Sequence, residues 1–142
     1  MPKANMTNIE LVKKVYADFL AGDIESILAA LSDEIEWITP GTFPTSGTRH
    51  GKTEVAKFFD LVKSTWLFSV FEPREYIAAG HNVAVIGTYT VMARATGKTA
   101  SSMWMMHWKI RRGKIAYFRE FADIQAIGNA VMSGGAVAAK DA

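Results

Sequence analysis

Few residues in this chain are equipped for chemistry, and Glu120 stands out among them. It lies in the run Trp104 to Asp123, WMMHWKIRRGKIAYFREFAD, which reads as two long strands around a tight Arg-Arg-Gly-Lys turn with apolar side chains on both faces of each strand. An antiparallel sheet usually leaves one face to water. Apolar residues on both faces therefore imply cover on both, by helices on one side and by another sheet or subunit on the other. A carboxylate turned into a covered face loses hydration, which favours its neutral form and suits it to giving or taking a proton. The competing structural reading puts Glu120 at an open rim, beside a lysine or arginine, as a solvated strand residue.

Turn geometry decides which face Glu120 takes. A three-residue turn ending in a left-handed Gly113 with a bulge pairs Ile110 with Lys114, Met106 with Phe118 and Trp104 with Glu120. One face then carries Trp104, Met106, Trp108, Ile110, Ala116, Phe118, Glu120 and Ala122; the other carries Met103, Met105, His107, Lys109, Tyr117, Arg119, Phe121 and Asp123. A two-residue turn pairs Arg111 with Lys114 and moves Trp108 to the face of Tyr117, Arg119 and Asp123. The first register is preferred because the second puts Arg112 at positive φ, a steric cost that Gly113 does not bear. In that register Glu120 is the one carboxylate on the more apolar face. Trp104, Met106 and Trp108 are then core residues or pocket walls.

The remaining candidates are weaker. The three histidines, His50, His81 and His107, lack metal-ligand spacing, and the chain has no cysteine, so no protein-built zinc or iron site is expected. There is no Gly-rich phosphate loop and no nucleophile elbow. The cluster Arg111, Arg112 and Lys114 sits at one hairpin tip, and with a formal net charge of +2 the chain offers no basic stripe for nucleic acid.

The elements that must position Glu120 follow from periodicity. Thr7 and Glu10 form a capping-box pattern, and Ile9, Val12, Val15, Tyr16, Phe19 and Leu20 then recur at helical spacing. Gly22 closes this helix, Asp23 caps a second, and Ile24, Ile27, Leu28 and Leu31 give the second one apolar face. A short strand spans Ile35 to Thr39, followed by the ordered loop PGTFPTSGTRHG, placed to cover a pocket mouth. A third helix runs from Lys52 to about Ser64 on the stripe Val55, Phe58, Phe59 and Val62. Four strands follow from Trp66, separated by Gly80-His81-Asn82, Thr96-Gly97 and Arg112-Gly113. The order α-α-β-α-β-β-β-β argues for an α+β layer with helices packed on one face of a bent antiparallel sheet.

At 142 residues one domain accounts for the whole chain, ordered over about 7–127 with a Gly- and Ala-rich tail over 128–142. The hydrophobic fraction of 49% with 21% charged residues is that of a soluble globular protein, and no apolar run is long enough to span a membrane. The N-terminus lacks the apolar core of a signal peptide, so the cytoplasm is the expected compartment.

The segments GDIESILAALSDEIEWITPG, GTRHGKTEVAKFF, ATGK and RRGKIAYFREFADI, in that order and spacing, resemble the SnoaL-like branch of the nuclear transport factor 2-like superfamily, from Ile9 to about Ile127. The resemblance implies a cone-shaped α+β barrel: a strongly curved sheet wraps around three helices and encloses an apolar pocket, commonly in a homodimer formed through the sheet's outer face. Members include ketosteroid isomerases, polyketide cyclases and epoxide hydrolases, alongside proteins with no known catalysis, so fold alone does not set the function. The isomerase's oxyanion-donating tyrosine is matched by Tyr16. Its general-base aspartate before a proline falls on Thr39, which cannot act as that base, and its second aspartate falls near Met106, as does the cyclases' first acid/base histidine. The cyclases' last-strand aspartate falls on Glu120, retaining the acid, while the histidine two residues before it becomes Phe118.

Two readings follow. In the first the chain is a cofactor-independent enzyme acting on a hydrophobic ligand, aromatic or polycyclic. Glu120 moves a proton, Tyr16 donates to a developing oxyanion, and Trp37, Thr39, Phe58, Trp104, Met106, Trp108 and Phe118 line the pocket. In the second the pocket binds a hydrophobic ligand without catalysis, or the domain is a dimeric accessory module.

Overall fold

The computed structural model describes residues 6–132. Helix α1 (Asn8–Leu20) starts at the expected capping box: Glu10 N donates to Thr7 Oγ1 at 3.0 Å and Thr7 N donates to Glu10 Oε1 at 2.9 Å. Such a cap stabilises the helix by about 1 kcal/mol. Its inward stripe buries Val12, Val15 and Tyr16. After Gly22, at φ 74°, Asp23 caps α2 (Ile24–Ala30) by accepting from Ser26 N at 3.1 Å.

Strand β1 (Leu31–Thr39) follows α2 directly, so it begins at Leu31, ahead of the expected Ile35. The loop after it ends sooner than expected, because Gly47–His50 form β2, antiparallel to β1, and Gly51 already opens the next helix. Helix α3 (Gly51–Thr65) buries Val55, Phe58 and Phe59. Then come β3 (Trp66–Ala79), β4 (Asn82–Ala93), β5 (Thr99–Arg111) and β6 (Lys114–Ala122), and finally α4 (Ile124–Val131).

The six strands form one sheet in the order β2-β1-β6-β5-β4-β3. All pairs are antiparallel except β1 with β6, which makes the sheet mixed. The edges β2 and β3 do not pair, so the sheet stays open while wrapping the helices in the cone-shaped α+β arrangement expected from sequence. Inner-face residues alternate along β4 and β5, where Val83, Val85, Tyr89 and Val91 and then Trp104, Met106, Trp108 and Ile110 are buried.

Two local expectations need correction. The β5–β6 turn has two residues, Arg112 at φ 54° and Gly113 at φ 75°, with Arg111 paired to Lys114. The steric cost at Arg112, about 1–2 kcal/mol, is accepted because a turn with both central residues at positive φ matches the twist of the flanking strands. A bulge follows at once: Ile110 pairs with Ile115 and Lys109 with Tyr117, leaving Ala116 without a partner. That extra residue reverses the alternation again. The inner face of β6 therefore carries Ile115 in place of Ala116 and keeps Phe118 and Glu120. The cross-strand partners become Trp108 with Phe118, Met106 with Glu120 and Trp104 with Ala122.

The second correction is at the C-terminal end. Asp123, expected on the outer strand face, caps α4 by accepting from Ala126 N at 3.1 Å. The helix continues through Val131, past the expected limit of order at residue 127, with Ala130 only 3% exposed, because α4 packs on β5 and β4. The rest of the expected tail, 133–142, lies outside the described residues.

Candidate functional site

The inner face of the sheet, α1, α3, α4 and the loop over 40–46 enclose a cavity of about 100 Å³. Its walls are aromatic on every side: Tyr16 and Phe19 from α1, Trp37 from β1, Phe58 and Phe59 from α3, Phe68 and Phe71 from β3, Trp108 and Phe118 from the β5–β6 hairpin. The loop covers it as expected, with Pro40, Phe43 and Thr45 on the lining, and α4 adds Ile127. Phe43 is fastened from both sides: its N–H donates to Ser46 Oγ at 2.8 Å and its ring meets Trp66 edge-on at 6.1 Å.

Eight of the nine residues expected at the site reach this cavity: Tyr16, Trp37, Thr39, Phe58, Met106, Trp108, Phe118 and Glu120. Trp104 does not. It is 2% exposed and stacks on Phe71 at 5.4 Å behind the lining, where Gly87 on the adjacent strand leaves room for its indole. Thr39 and Glu120 come together through the parallel pairing, in which Ile38 lies beside Arg119 and the next residue on each strand turns to the cavity. Trp37 stacks on Phe118 with ring centroids 4.0 Å apart, which fixes the wall beside the acid.

Glu120 is the one carboxylate on the lining. It keeps some accessible surface because it borders the cavity, yet apolar groups surround it, and this desolvation pushes its carboxyl above the usual carboxylate range. No basic side chain forms an ion pair with it among the described residues. Its partner is Tyr89, whose hydroxyl donates to Oε2 at 2.6 Å and pulls the carboxyl part of the way back. The spacing in the hairpin gives no hint of Tyr89, since the two residues lie two strands apart in the sheet. The alternation Val83, Val85, Gly87, Tyr89, Val91 does place Tyr89 inward.

Tyr16 stands near Glu120 without bonding to it. Its hydroxyl accepts from Trp108 Nε1 at 3.0 Å and donates to Met106 Sδ at 3.3 Å, and Met106 is the cross-strand neighbour of Glu120. A thioether is a weak acceptor, so the Tyr16 hydroxyl proton is cheaply redirected to a ligand oxygen. Burial, more than any neighbouring charge, raises the pKa of Tyr16 and likewise of Tyr89, so both remain donors at neutral pH.

The cavity mouth is polar but already satisfied. Thr39 Oγ1 donates to the Thr45 carbonyl, Trp66 Nε1 donates to Thr45 Oγ1 at 3.3 Å, and Arg49 Nη1 donates to the Thr45 carbonyl at 3.0 Å while its guanidinium lies over Phe58 at 5.0 Å. Arg49 thus braces the covering loop from outside the lining.

The histidines lie away from the cavity. His107 is on the outer face, with Nε2 2.8 Å from Asn82 Oδ1, and burial lowers its pKa. His81 is in the β3–β4 turn with Nδ1 3.1 Å from the Ile110 carbonyl, and His50 precedes α3 without capping it. No group of three metal-ligating side chains occurs among the described residues, and no described helix is long and apolar enough to cross a membrane.

Comparison with known proteins agrees with this fold. Residues 12–118 match the model of the SnoaL-like domain. An NTF2-like protein from Burkholderia xenovorans LB400 is 30% identical and superposes with a TM-score of 0.84 over 92% of this chain and 100% of that one. TerC, crystallised with polyporic acid, is also 30% identical, with a TM-score of 0.75 over 87% of this chain and 97% of that one. A protein from Pseudomonas putida KT2440 described as a polyketide cyclase shares the fold at 23% identity, with a TM-score of 0.75 over 90% of this chain and 100% of that one. No protein of curated function matches the sequence. With three quarters of its length inside the family model, the chain belongs to the SnoaL-like family.

Proposed function

We propose that the cavity binds a hydrophobic, ring-bearing small molecule and that Glu120 moves a proton on it. The observation that carries this reading is a lone carboxylate, without a basic partner, at the wall of an otherwise aromatic cavity. A structural role needs no such group. Burying a carboxylate costs stability, and a volume-matched apolar residue would pack the same wall more cheaply. With its pKa raised, Glu120 is a better proton donor near neutral pH than an ordinary glutamate and a stronger base once ionised. The Tyr16 hydroxyl supplies the hydrogen bond for oxygen that gains negative charge as the proton moves. Such isomerase-, cyclase- or hydrolase-like chemistry uses protein groups alone and calls for no cofactor.

Size narrows the ligand. A cavity of about 100 Å³ is below the roughly 300–1,000 Å³ of pockets that take drug-sized ligands, so it suits one substituted ring. A polycyclic ligand requires the 40–46 loop or the aromatic walls to move. The donors Tyr16 and protonated Glu120 favour a carbonyl or another oxygen acceptor on that ring. TerC, co-crystallised with polyporic acid, is a precedent for a small organic ligand on this fold.

The second reading, ligand binding without turnover, draws on Thr39, Met106 and Phe118, because a threonine, a thioether and a phenyl ring cannot serve as the second general acid or base, leaving two un-ionised tyrosines as the other titratable groups on the lining. In either case we propose a homodimer through the outer sheet face, where Met103 (69%), Phe121 (44%) and Met105 (38%) are exposed.

The experiment is a thermal-shift screen of aryl ketones, quinones, phenols and aromatic acids, followed by incubation of each stabilising compound with the protein in D2O. The proposal expects at least one such compound to be converted or to gain deuterium. Compounds that bind and emerge unaltered and unlabelled would overturn the catalytic reading in favour of the second.

A further inference from the structure

We propose that Tyr89 is the positioning residue for Glu120: its hydroxyl holds carboxyl oxygen Oε2 and leaves Oε1 as the atom that exchanges a proton with the ligand. The inference rests on the catalytic reading of Glu120 and adds to it a residue and an atom.

The geometry has three parts. First, the Tyr89 hydroxyl donates to Oε2 at 2.6 Å, within the range of a strong O–H···O bond. Each group is the other's sole side-chain hydrogen-bond partner in the described structure. Second, the donor cannot wander. Tyr89 is 7% exposed, and its ring is set between Phe68 at 5.8 Å edge-on, Phe71 at 6.4 Å and Trp104 at 6.4 Å. Glutamate has three side-chain torsions, so without a fixed partner its carboxyl would spread over several rotamers in the cavity. Third, the anchor and the reacting groups are separate. Tyr16 is engaged with Trp108 and Met106, so Tyr89 holds the acid while Tyr16 stays free to meet ligand oxygen.

This division also accounts for a tyrosine at a position where the alternation of β4 calls only for an apolar residue. Phenylalanine would fill the same space between Phe71 and Trp104. The hydroxyl is superfluous to packing, and among the described residues it bonds to Glu120 alone.

The titratable side chains facing Glu120 across the cavity are Tyr16 on α1 and Tyr89 on β4; α3, α4, β1 and the 40–46 loop contribute none to the lining. The test follows glutamate Cδ and tyrosine Cζ resonances of 13C-labelled protein by NMR across a pH titration, with no ligand required. In the wild-type chain Tyr89 Cζ should move with the same midpoint as Glu120 Cδ, because the bond it makes changes when the carboxyl ionises. In Tyr89→Phe the Glu120 acid dissociation constant should fall roughly tenfold, since a donor that favours the charged form has gone. A Tyr89 resonance indifferent to the Glu120 titration, or an unchanged midpoint in folded Tyr89→Phe, would overturn the proposal. If Tyr89→Phe does not fold, the wild-type titration decides alone. Failure of Glu120 as a catalyst would appear in turnover and leave this coupling intact, so the two claims fall separately.

Discussion

Gly87→Ala is a severe perturbation of the wall behind the cavity, and its cost can be worked from three distances. A Cβ at this position would lie 2.4 Å from the Glu72 carbonyl oxygen and 2.5 and 2.8 Å from Cζ2 and Cη2 of Trp104. The carbonyl belongs to β3, whose pairing with β4 runs through Pro73 and Gly87, so it cannot retreat without breaking the ladder. The indole cannot retreat either, because Phe71 stacks on it at 5.4 Å and Tyr16 leans on it at 5.8 Å. Overpacking of a tight core costs about 1–3 kcal/mol, and a clash with two rigid groups belongs at the upper end, about 3 kcal/mol. For a chain of 142 residues that corresponds to a fall in Tm of roughly 10 °C. Calorimetry or a near-ultraviolet melt reads the value. Because part of the strain lies against the six-membered ring of Trp104, Gly87→Ala should cost less in a Trp104→Phe background, and the double-mutant cycle should show coupling of that sign. A fall below about 3 °C, or strict additivity, would refute the claim that Gly87 exists to admit Trp104.

Glu120→Gln should stabilise the ligand-free protein at neutral and higher pH and do little near pH 4. The sign follows from linkage: the folded pKa of Glu120 lies above its unfolded value, so its contribution is fully present below the unfolded pKa and is lost as pH rises through the folded one. Glutamine removes that loss, and Tm measured against pH should show the two curves parting as pH rises; parallel curves would contradict a desolvated acid. For the outer sheet face, light scattering at micromolar concentration should give a dimer mass, and Phe121→Glu should shift it toward the monomer. A wild-type monomer would remove the dimer proposal.

The sequence was most legible where one period rules. The α1 stripe, the α3 stripe and the alternation of β4 and β5 follow from burial of a single face, so their core residues could be read directly. The β5–β6 turn departs from the sequence expectation because the strand twist that a two-residue turn supplies offsets the cost of Arg112 at φ 54°. The face of Glu120 survived that error for a physical reason: either turn carries one unpaired residue, at Gly113 in the expected register and at Ala116 in the observed one, and one extra residue reverses the alternation once. Helix α4 was hidden by its Gly and Ala content, although Asp123 is a good N-cap, because its stability comes from packing on β5 and β4. The Tyr89–Glu120 bond was illegible for another reason. It joins long inner-face side chains on strands that are not neighbours, β4 and β6, across β5.

The most direct test of the central claim, that Glu120 is the acid of a ligand cavity, is to compare turnover and binding of one converted compound by the wild-type chain and by Glu120→Gln. Glutamine preserves size and hydrogen-bonding capacity toward Tyr89 while abolishing proton exchange. The account predicts turnover lowered by about 10²–10⁴-fold with the dissociation constant changed by less than about tenfold. Equal turnover in the two proteins would contradict it.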